Sequence, residues 1–530
     1  MVTFPDIRKL AAVLTNYKTP ILAALGLTIF TYLYFILNFT FGNHSFPFII
    51  EGTKWYFHHY IGRLFEQLPV ALLQGGFYLP VLGPLLSLCA WFAAGIIFLG
   101  LFEIPGAGRP AFFYAASLFS LCPVLIGRLY YEAAELGGTC GMLALSLGAW
   151  LSAKGSGKKS LVAGALLIFY ALGSNPSFIS TIWVVLLLML LLNSVYKLGN
   201  NVTRYVYASG IGLAMYFILV KVILTMPKYY NNQLGSISEI LKAFLPLLKQ
   251  SALYPFVTQP PMGWGYKSLY ALFFFGSMII LIMRSEHRPL PSFKSITSIR
   301  EYLVGGGRLL TILLLVCLYL FHNTSGYLSG NLWAGTSQMR IDFFTIPLIL
   351  AISVYICINS VIRSRLAKSI VCFLASIFIF LSVVADLRAT QVWWITIQDD
   401  ILYSNRLLMR IEAQPGFDAS KRWQYLQLGD RPIFSHRFFK NIKGNTLELQ
   451  RPMHINSTKH RIFNYIAPNL QIEGTKLSRK DICARYEHFL ATTEAYPKPN
   501  SLLVADDLII VTLDEKVARA YCARGGKHGK

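Results

Sequence analysis

The feature that most constrains this chain is the recurrence of long apolar runs. They lie at Ile21–Phe41, Tyr78–Phe102, Ala111–Ile126, Leu136–Ala153, Leu161–Gly173, Phe178–Leu192, Tyr205–Met226, Leu269–Met283, Leu309–Phe321, Phe343–Ile358 and Ser369–Val384. A hydrocarbon core roughly 30 Å thick takes about 20 helical residues to cross, and lipid leaves the backbone no partner but itself. The expectation is therefore an α-helical polytopic membrane protein with about eleven spans. Composition agrees: of 530 residues 55% are hydrophobic and only 14% charged, with a mean hydropathy of +0.50. A soluble chain carries nearer a quarter charged residues. Ile21–Phe41 is too long for the apolar region of a signal peptide, and no small-residue cleavage site follows it, so it reads as a retained first span.

The formal charge of +23 would point to nucleic acid in a soluble protein. Here Lys and Arg decorate loops, where they meet anionic headgroups, and no basic module with base-stacking aromatics appears. With the N-terminus inside, the cytoplasmic loops hold Arg109, then Lys154, Lys158 and Lys159, then Lys197 and Arg204, then five cations from Arg284 to Arg308, and finally Arg363, Arg365 and Lys368. That is the positive-inside pattern, and an odd number of spans leaves the C-terminal region outside. Six cysteines lie in or beside apolar runs without ligand spacing and read as small packing residues. Cys483 and Cys522 lie in the hydrophilic tail, and a tail outside the cytoplasm would allow them to pair.

The same topology sorts the acids. Residues 1–385 hold few, and Glu51, Glu66, Glu132, Glu135, Glu239 and Asp342 fall on or beside the outer face. Carboxylates near lipid are costly and usually functional, so acid–base chemistry is expected there. The first outer loop is the densest stretch: Gly42–Gln67 gathers Glu51, Lys54, Trp55, His58, His59, Arg63 and Glu66. Glu51, Glu132 and Glu135 are the candidate general bases, since an apolar wall raises a carboxylate's proton affinity. Glu51 also reads as a solvated loop acid or a partner of Lys54. Glu132 and Glu135 share one face of a helix start, where they also complement the dipole.

Arg63 and Arg340 are candidates for a donor phosphate, whose paired oxygens match a planar guanidinium, with Lys54 beside them. Arg128 reads instead as a helix-end side chain reaching the interface. Trp55, His58, His59, Tyr131 and Asp342 are candidate substrate contacts, although interfacial anchoring is the commoner use of such rings. Neighbouring histidines suit a metal poorly, and no HExxH or CxxC occurs, so neither a metal nor a cofactor is expected. Gly173-Ser-Asn-Pro176 is a tight turn, and the long loop Pro227–Lys267 contains an amphipathic piece, Ile237–Lys249, suited to lie flat at the interface.

Beyond Val384 the composition changes, which divides the chain into a membrane domain, residues 1–385, and a soluble domain, 386–530. In the latter, Ala389–Ala413 reads as a helix leaving the membrane. Trp423–Leu428, Leu502–Val504 and Leu508–Thr512 read as strands and Asp481–Thr493 as a helix, making a small α/β domain.

Several short motifs resemble one family. After the first span come Asn43-His44, a Trp, Gly62-Arg63 and Leu68-Pro69; a second outer loop carries Pro123 and a Tyr; Arg340 stands just before a span; and Asp386-Leu-Arg-Ala-Thr-Gln391 opens the tail. The pattern, from about Leu25 to Asp430, is similar to the bacterial glucosyltransferase II-like family, related to enzymes that glucosylate O-antigen, the lipopolysaccharide side chain. The resemblance implies a GT-C-type bundle. It also implies transfer of a hexose, glucose by analogy, from a polyprenyl-phosphate donor to a lipid-linked or surface polysaccharide on the periplasmic side of the bacterial inner membrane. Gly62-Arg63 and Arg340 match best, whereas Ser45 stands where such enzymes usually carry an acid. Two other readings stay open: a transporter or flippase, which calls for paired acids and broken helices at mid-membrane, and an O-antigen polymerase or ligase.

Overall fold

The computed structural model describes residues 4–38, 64–77, 79, 81–123, 132–220, 238, 241–242, 244–246, 248–249, 264–286, 307–321, 337–360, 364–429 and 460–523. These fall into two units, one comprising Met1–Leu37 and Thr53–Thr390 and the other Asn38–Gly52 and Gln391–Lys530.

The first unit is helical. Its elements are α1 Phe4–Asn16, α2 Lys18–Leu37, α3 Leu68–Leu73, α4 Leu82–Leu101, α5 Arg109–Ser120, α6 Glu132–Lys154, α7 Gly157–Ser174, α8 Phe178–Tyr196, α9 Val202–Ile218, α10 Trp264–Arg284, α11 Arg308–Phe321, α12 Ser337–Ser360 and α13 Arg365–Glu412. Every apolar run named above coincides with a helix in its described part. Among the described residues six helices, α2, α4, α6, α8, α10 and α13, are long and apolar enough to cross a membrane. The protein thus has the length and composition of a helical membrane protein. In the amphipathic piece of the long loop, Leu241, Phe244 and Leu245 are helical and expose their apolar side chains.

Small residues let these helices approach closely. Gly148 of α6 faces Gly164 of α7, and a Cβ on either would meet the other's carbonyl oxygen at 3.0 or 2.9 Å. Gly212 of α9 presses on α7 in the same way, its Cβ position lying 3.0 Å from the Ala165 carbonyl. Between lipid-embedded helices no water is left to expel, so close van der Waals contact and hydrogen bonds supply the attraction. α12 is buried all round from Thr345 to Asn359, as expected of a helix enclosed by others.

Charge marks one end of the unit. Tyr17, just before α2, donates to Glu103 Oε1 at 3.0 Å beyond the end of α4. Lys9 donates to the Lys154 carbonyl at the end of α6, and Arg204 donates to the Ser152 and Gly157 carbonyls, clamping the α6–α7 turn. Lys197 pairs with Glu286 at 3.7 Å, and Arg284 lies over the Tyr196 ring. The cations expected on one side of a membrane are thus held at one end by contacts between helix termini.

The second unit takes over α13 from Gln391 and adds β1 Arg422–Leu428, α14 Arg461–Ile466, β2 Gln471–Gly474, α15 Arg479–Thr492, β3 Leu502–Ala505, β4 Leu508–Thr512 and α16 Glu515–Ala523. The sheet order is β2-β1-β4-β3, with β1 parallel to both neighbours and β3 antiparallel to β4. Asp506 turns the β3–β4 hairpin in the left-handed region, at φ 55°, which Asp tolerates better than most residues. β4, Leu-Ile-Ile-Val-Thr, is buried along its whole length, so it reads as a continuous apolar run. Leu508 and Ile510 pack with Ile482, Leu490 and Ala518 of α15 and α16. Cys483 and Cys522 are joined in a disulfide that ties those two helices. Of these elements β2, α14 and α16 lacked a sequence expectation.

Candidate functional site

Most of the first outer loop, with Glu51, Lys54, Trp55, His58, His59 and Arg63, lies outside the described residues, as does Tyr131. Its last part, Leu64–Gln67, is built into the helical unit. Phe65 N–H donates to the Gly173 carbonyl at 2.9 Å. Its ring stacks on Tyr170 at 5.5 Å between centroids and meets Phe169 edge-on at 5.3 Å. Gly173 is required here, because a Cβ would enter the Phe65 ring. The turn after it forms as its residues dictate: Asn175 Oδ1 accepts from Ser177 N–H at 3.0 Å, the side-chain mimic of a backbone turn.

Glu66 follows and is fully buried, with Gln67 almost as enclosed. The Glu66 backbone lies against Gly137 of α6, where a Cβ would fall 2.7 Å from its carbonyl carbon and 2.8 Å from its Cα. Gly137 lies in the second turn of a helix that begins at Glu132. Leu64–Gln67, the start of α6 and the α7–α8 turn therefore converge at one end of the unit. Glu132 and Glu135 occupy that start; their side chains lie outside the described residues. Arg340 and Asp342 occupy the first two turns of α12, with side chains likewise undescribed. That helix runs from them toward Tyr355, whose ring meets Phe112 of α5 edge-on at 6.4 Å, close to the basic end. Arg340 and Asp342 therefore stand toward the opposite end of that helix.

One acid escaped the sequence reading. Asp386, taken from composition as the first residue of the hydrophilic tail, lies inside α13 and is fully buried. Tyr32 of α2 donates to its Oδ2 at 3.0 Å, while its Oδ1 is buried without a hydrogen-bond partner. Tyr266 of α10 lies near, its own hydroxyl 3.8 Å from Cys122 Sγ. On the facing helices Thr28 and Ser120 are 2.6 Å apart, joining α2 to α5. The signal for Asp386 was present in the sequence: Ala385, Ala389, Trp393 and Ile397 recur every four residues, and all are buried. That stripe carries the helix through the expected break, so an apolar face continues past the acid.

An unpaired carboxyl oxygen in an apolar bundle is costly and accepts a proton, a cation or a hydroxyl donor. Among the described residues no three His, Cys, Asp or Glu side chains gather closely enough to hold a metal ion. Compared with protein-family models, with curated proteins and with solved structures, the chain matches none of them.

Proposed function

We propose that the protein is a membrane glycosyltransferase. It moves a hexose from a polyprenyl-phosphate donor to a lipid-linked or surface polysaccharide, on the face of a bacterial inner membrane away from the cytoplasm. The observation that carries the reading is the insertion of Leu64–Gln67 beside the start of α6. It places a fully buried acid, Glu66, next to the turns bearing Glu132 and Glu135, and does so away from the helix ends clamped by basic side chains. In this reading Glu51 or Glu132 draws the proton from an acceptor hydroxyl. The hydroxyl oxygen attacks the anomeric carbon, the bond from that carbon to the phosphate oxygen breaks, and polyprenyl phosphate leaves with the bonding pair. Arg63 and Arg340 neutralise the charge that develops on that phosphate.

Two further observations support the orientation. Basic side chains concentrated at one end suit a cytoplasmic face, and a disulfide in the second unit suits an oxidising compartment. The N-terminus is then cytoplasmic and the second unit periplasmic.

The test is the composition of surface polysaccharide in cells carrying the native chain, Glu51→Gln or Glu132→Gln. The expected result is loss of one hexose substituent with either variant or with both. Unchanged glycan in both would remove the catalytic proposal. A second reading, a proton- or cation-coupled transporter or flippase, is favoured by Asp386 alone. In that reading Asp386→Asn abolishes solute or lipid movement in proteoliposomes, whereas in the transfer reading the glycan defect follows the loop acids.

A further inference from the structure

We propose that the second unit carries a phosphate-binding pocket between α15 and α16, and this holds whichever chemistry the helical unit performs. A cavity of about 260 Å³ is lined by Arg479, Lys516, Val517, Ala520 and Tyr521. That is slightly below the roughly 300 Å³ at which drug-sized ligand sites begin, and suits one phosphorylated monosaccharide or one lipid headgroup.

Among the described residues neither cation that lines it has a carboxylate partner. The Lys516 side chain makes no hydrogen bond or ion pair with a described residue, whereas its neighbour Glu515 is taken up by Lys498 and Arg519. Arg479 is fixed in place. Its guanidinium lies 5.1 Å over the Tyr521 ring and donates to the Ala520 carbonyl at 3.4 Å. Its position is thus set by neutral groups, which leaves its charge uncompensated. A held planar fork and an ammonium lining the same cavity match a tetrahedral oxyanion: the guanidinium binds two oxygens and the lysine adds a point charge. A guanidinium already oriented loses less freedom on binding.

The disulfide belongs to this arrangement. Cys483 stands one helical turn after Arg479, and Cys522 follows Tyr521 directly, so the S–S bond joins the two walls of the pocket. The link adds to the core packing of Ala518 against Ile482 and Leu490 in setting the separation of the cations.

The test uses the full chain in phosphatidylcholine nanodiscs, titrated with glucose 1-phosphate in a calorimeter. A second arm replaces part of the lipid with phosphatidylglycerol, whose headgroup offers the same phosphate chemistry. The expected result is saturable binding that weakens about tenfold or more in Lys516→Gln and in Arg479→Gln. Cys483→Ser/Cys522→Ser should weaken it less, and added salt should weaken it throughout. If the natural source is lipid, phosphatidylglycerol displaces the sugar phosphate from the native chain and fails to bind the variants. Arg479 also caps α16, so Arg479→Gln carries a risk to folding; Lys516→Gln, whose side chain has no partner to lose among the described residues, does not. Binding of both probes unchanged by Lys516→Gln in a folded chain would overturn the proposal, as would the absence of binding by either probe.

Discussion

Gly137→Ala tests whether the first outer loop is fastened to α6. In the helix interior alanine is preferred over glycine by about 0.5–1 kcal/mol, so propensity alone makes the substitution stabilising. The surroundings oppose this. The new Cβ would stand 2.7 and 2.8 Å from backbone carbons of Glu66, and its nearest neighbour, the Glu66 carbonyl oxygen, would be closer still; real Cβ atoms essentially never come under 3.0 Å. The partner is backbone, so no rotamer change relieves the clash, and the Leu64–Gln67 segment must move outward. Overpacking of this kind costs about 1–3 kcal/mol. Subtracting the propensity gain leaves a net loss of about 0–2.5 kcal/mol, so the clash wins over nearly all of that range. Displacement would also strain the Phe65 N–H bond to Gly173, now 2.9 Å. Gly26→Ala in α2 is the control, because nothing lies within 4 Å of its Cβ position; there the propensity gain should appear alone. Thermal unfolding in detergent, followed by tryptophan fluorescence, reads both variants, and the surface glycan of the same strains reports whether the moved loop matters to function. Gly137→Ala melting at or above the native temperature, alongside a Gly26→Ala that behaves the same, would refute the contact between Glu66 and α6.

Three further outcomes are expected. Tyr32→Phe leaves both Asp386 oxygens without a hydroxyl donor, while Asp386→Asn keeps an acceptor for Tyr32; detergent melts should show the Tyr32 variant losing about 1–3 kcal/mol and the Asn variant less. Cys483→Ser/Cys522→Ser opens a link between residues 39 apart, and loop-closure entropy assigns it about 2–4 kcal/mol; native and mutant chains should differ in protease resistance of the second unit under non-reducing conditions and converge once reductant is added. Tyr486 is pushed up to about 12, first by burial and then by its hydrogen bond to Asp506. Because the folded value exceeds the ordinary tyrosine value of about 10, this group's contribution is complete below about pH 10 and is lost as pH rises toward 12. Phenolate absorbance should show one fewer late-titrating tyrosine in Asp506→Asn than in the native chain.

Much of the fold was legible because lipid and sheet impose strong patterns. The apolar runs found their helices, and in the second unit β1, β3, β4 and α15 fell where alternation, apolar content and capping residues placed them. β2 was not legible: Gln-Ile-Glu-Gly has one buried side chain in four and is a strand because β1 accepts it as a parallel neighbour. The length of α13 was misread for a different reason. Composition turns polar after Val384, yet helical periodicity persists to Glu412, and an average over residues hides a stripe that period reveals. The position of the candidate site was not legible. Glu66 is far in sequence from Glu132 and Glu135, and it is brought beside the start of α6 by close contacts at Gly137 and Gly173, two residues whose importance lies in having no side chain.

The bond between Tyr32 and Asp386 spans 354 residues, and that separation has a consequence during synthesis. At about 5–20 residues per second, roughly 20 to 70 seconds pass between emergence of the hydroxyl and arrival of its acceptor. For that interval the first long helix stands without the carboxylate that its Tyr32 hydroxyl meets in the folded chain. The contact between α2 and α13 therefore forms only once residue 386 has been made, and a chain truncated before that point lacks it.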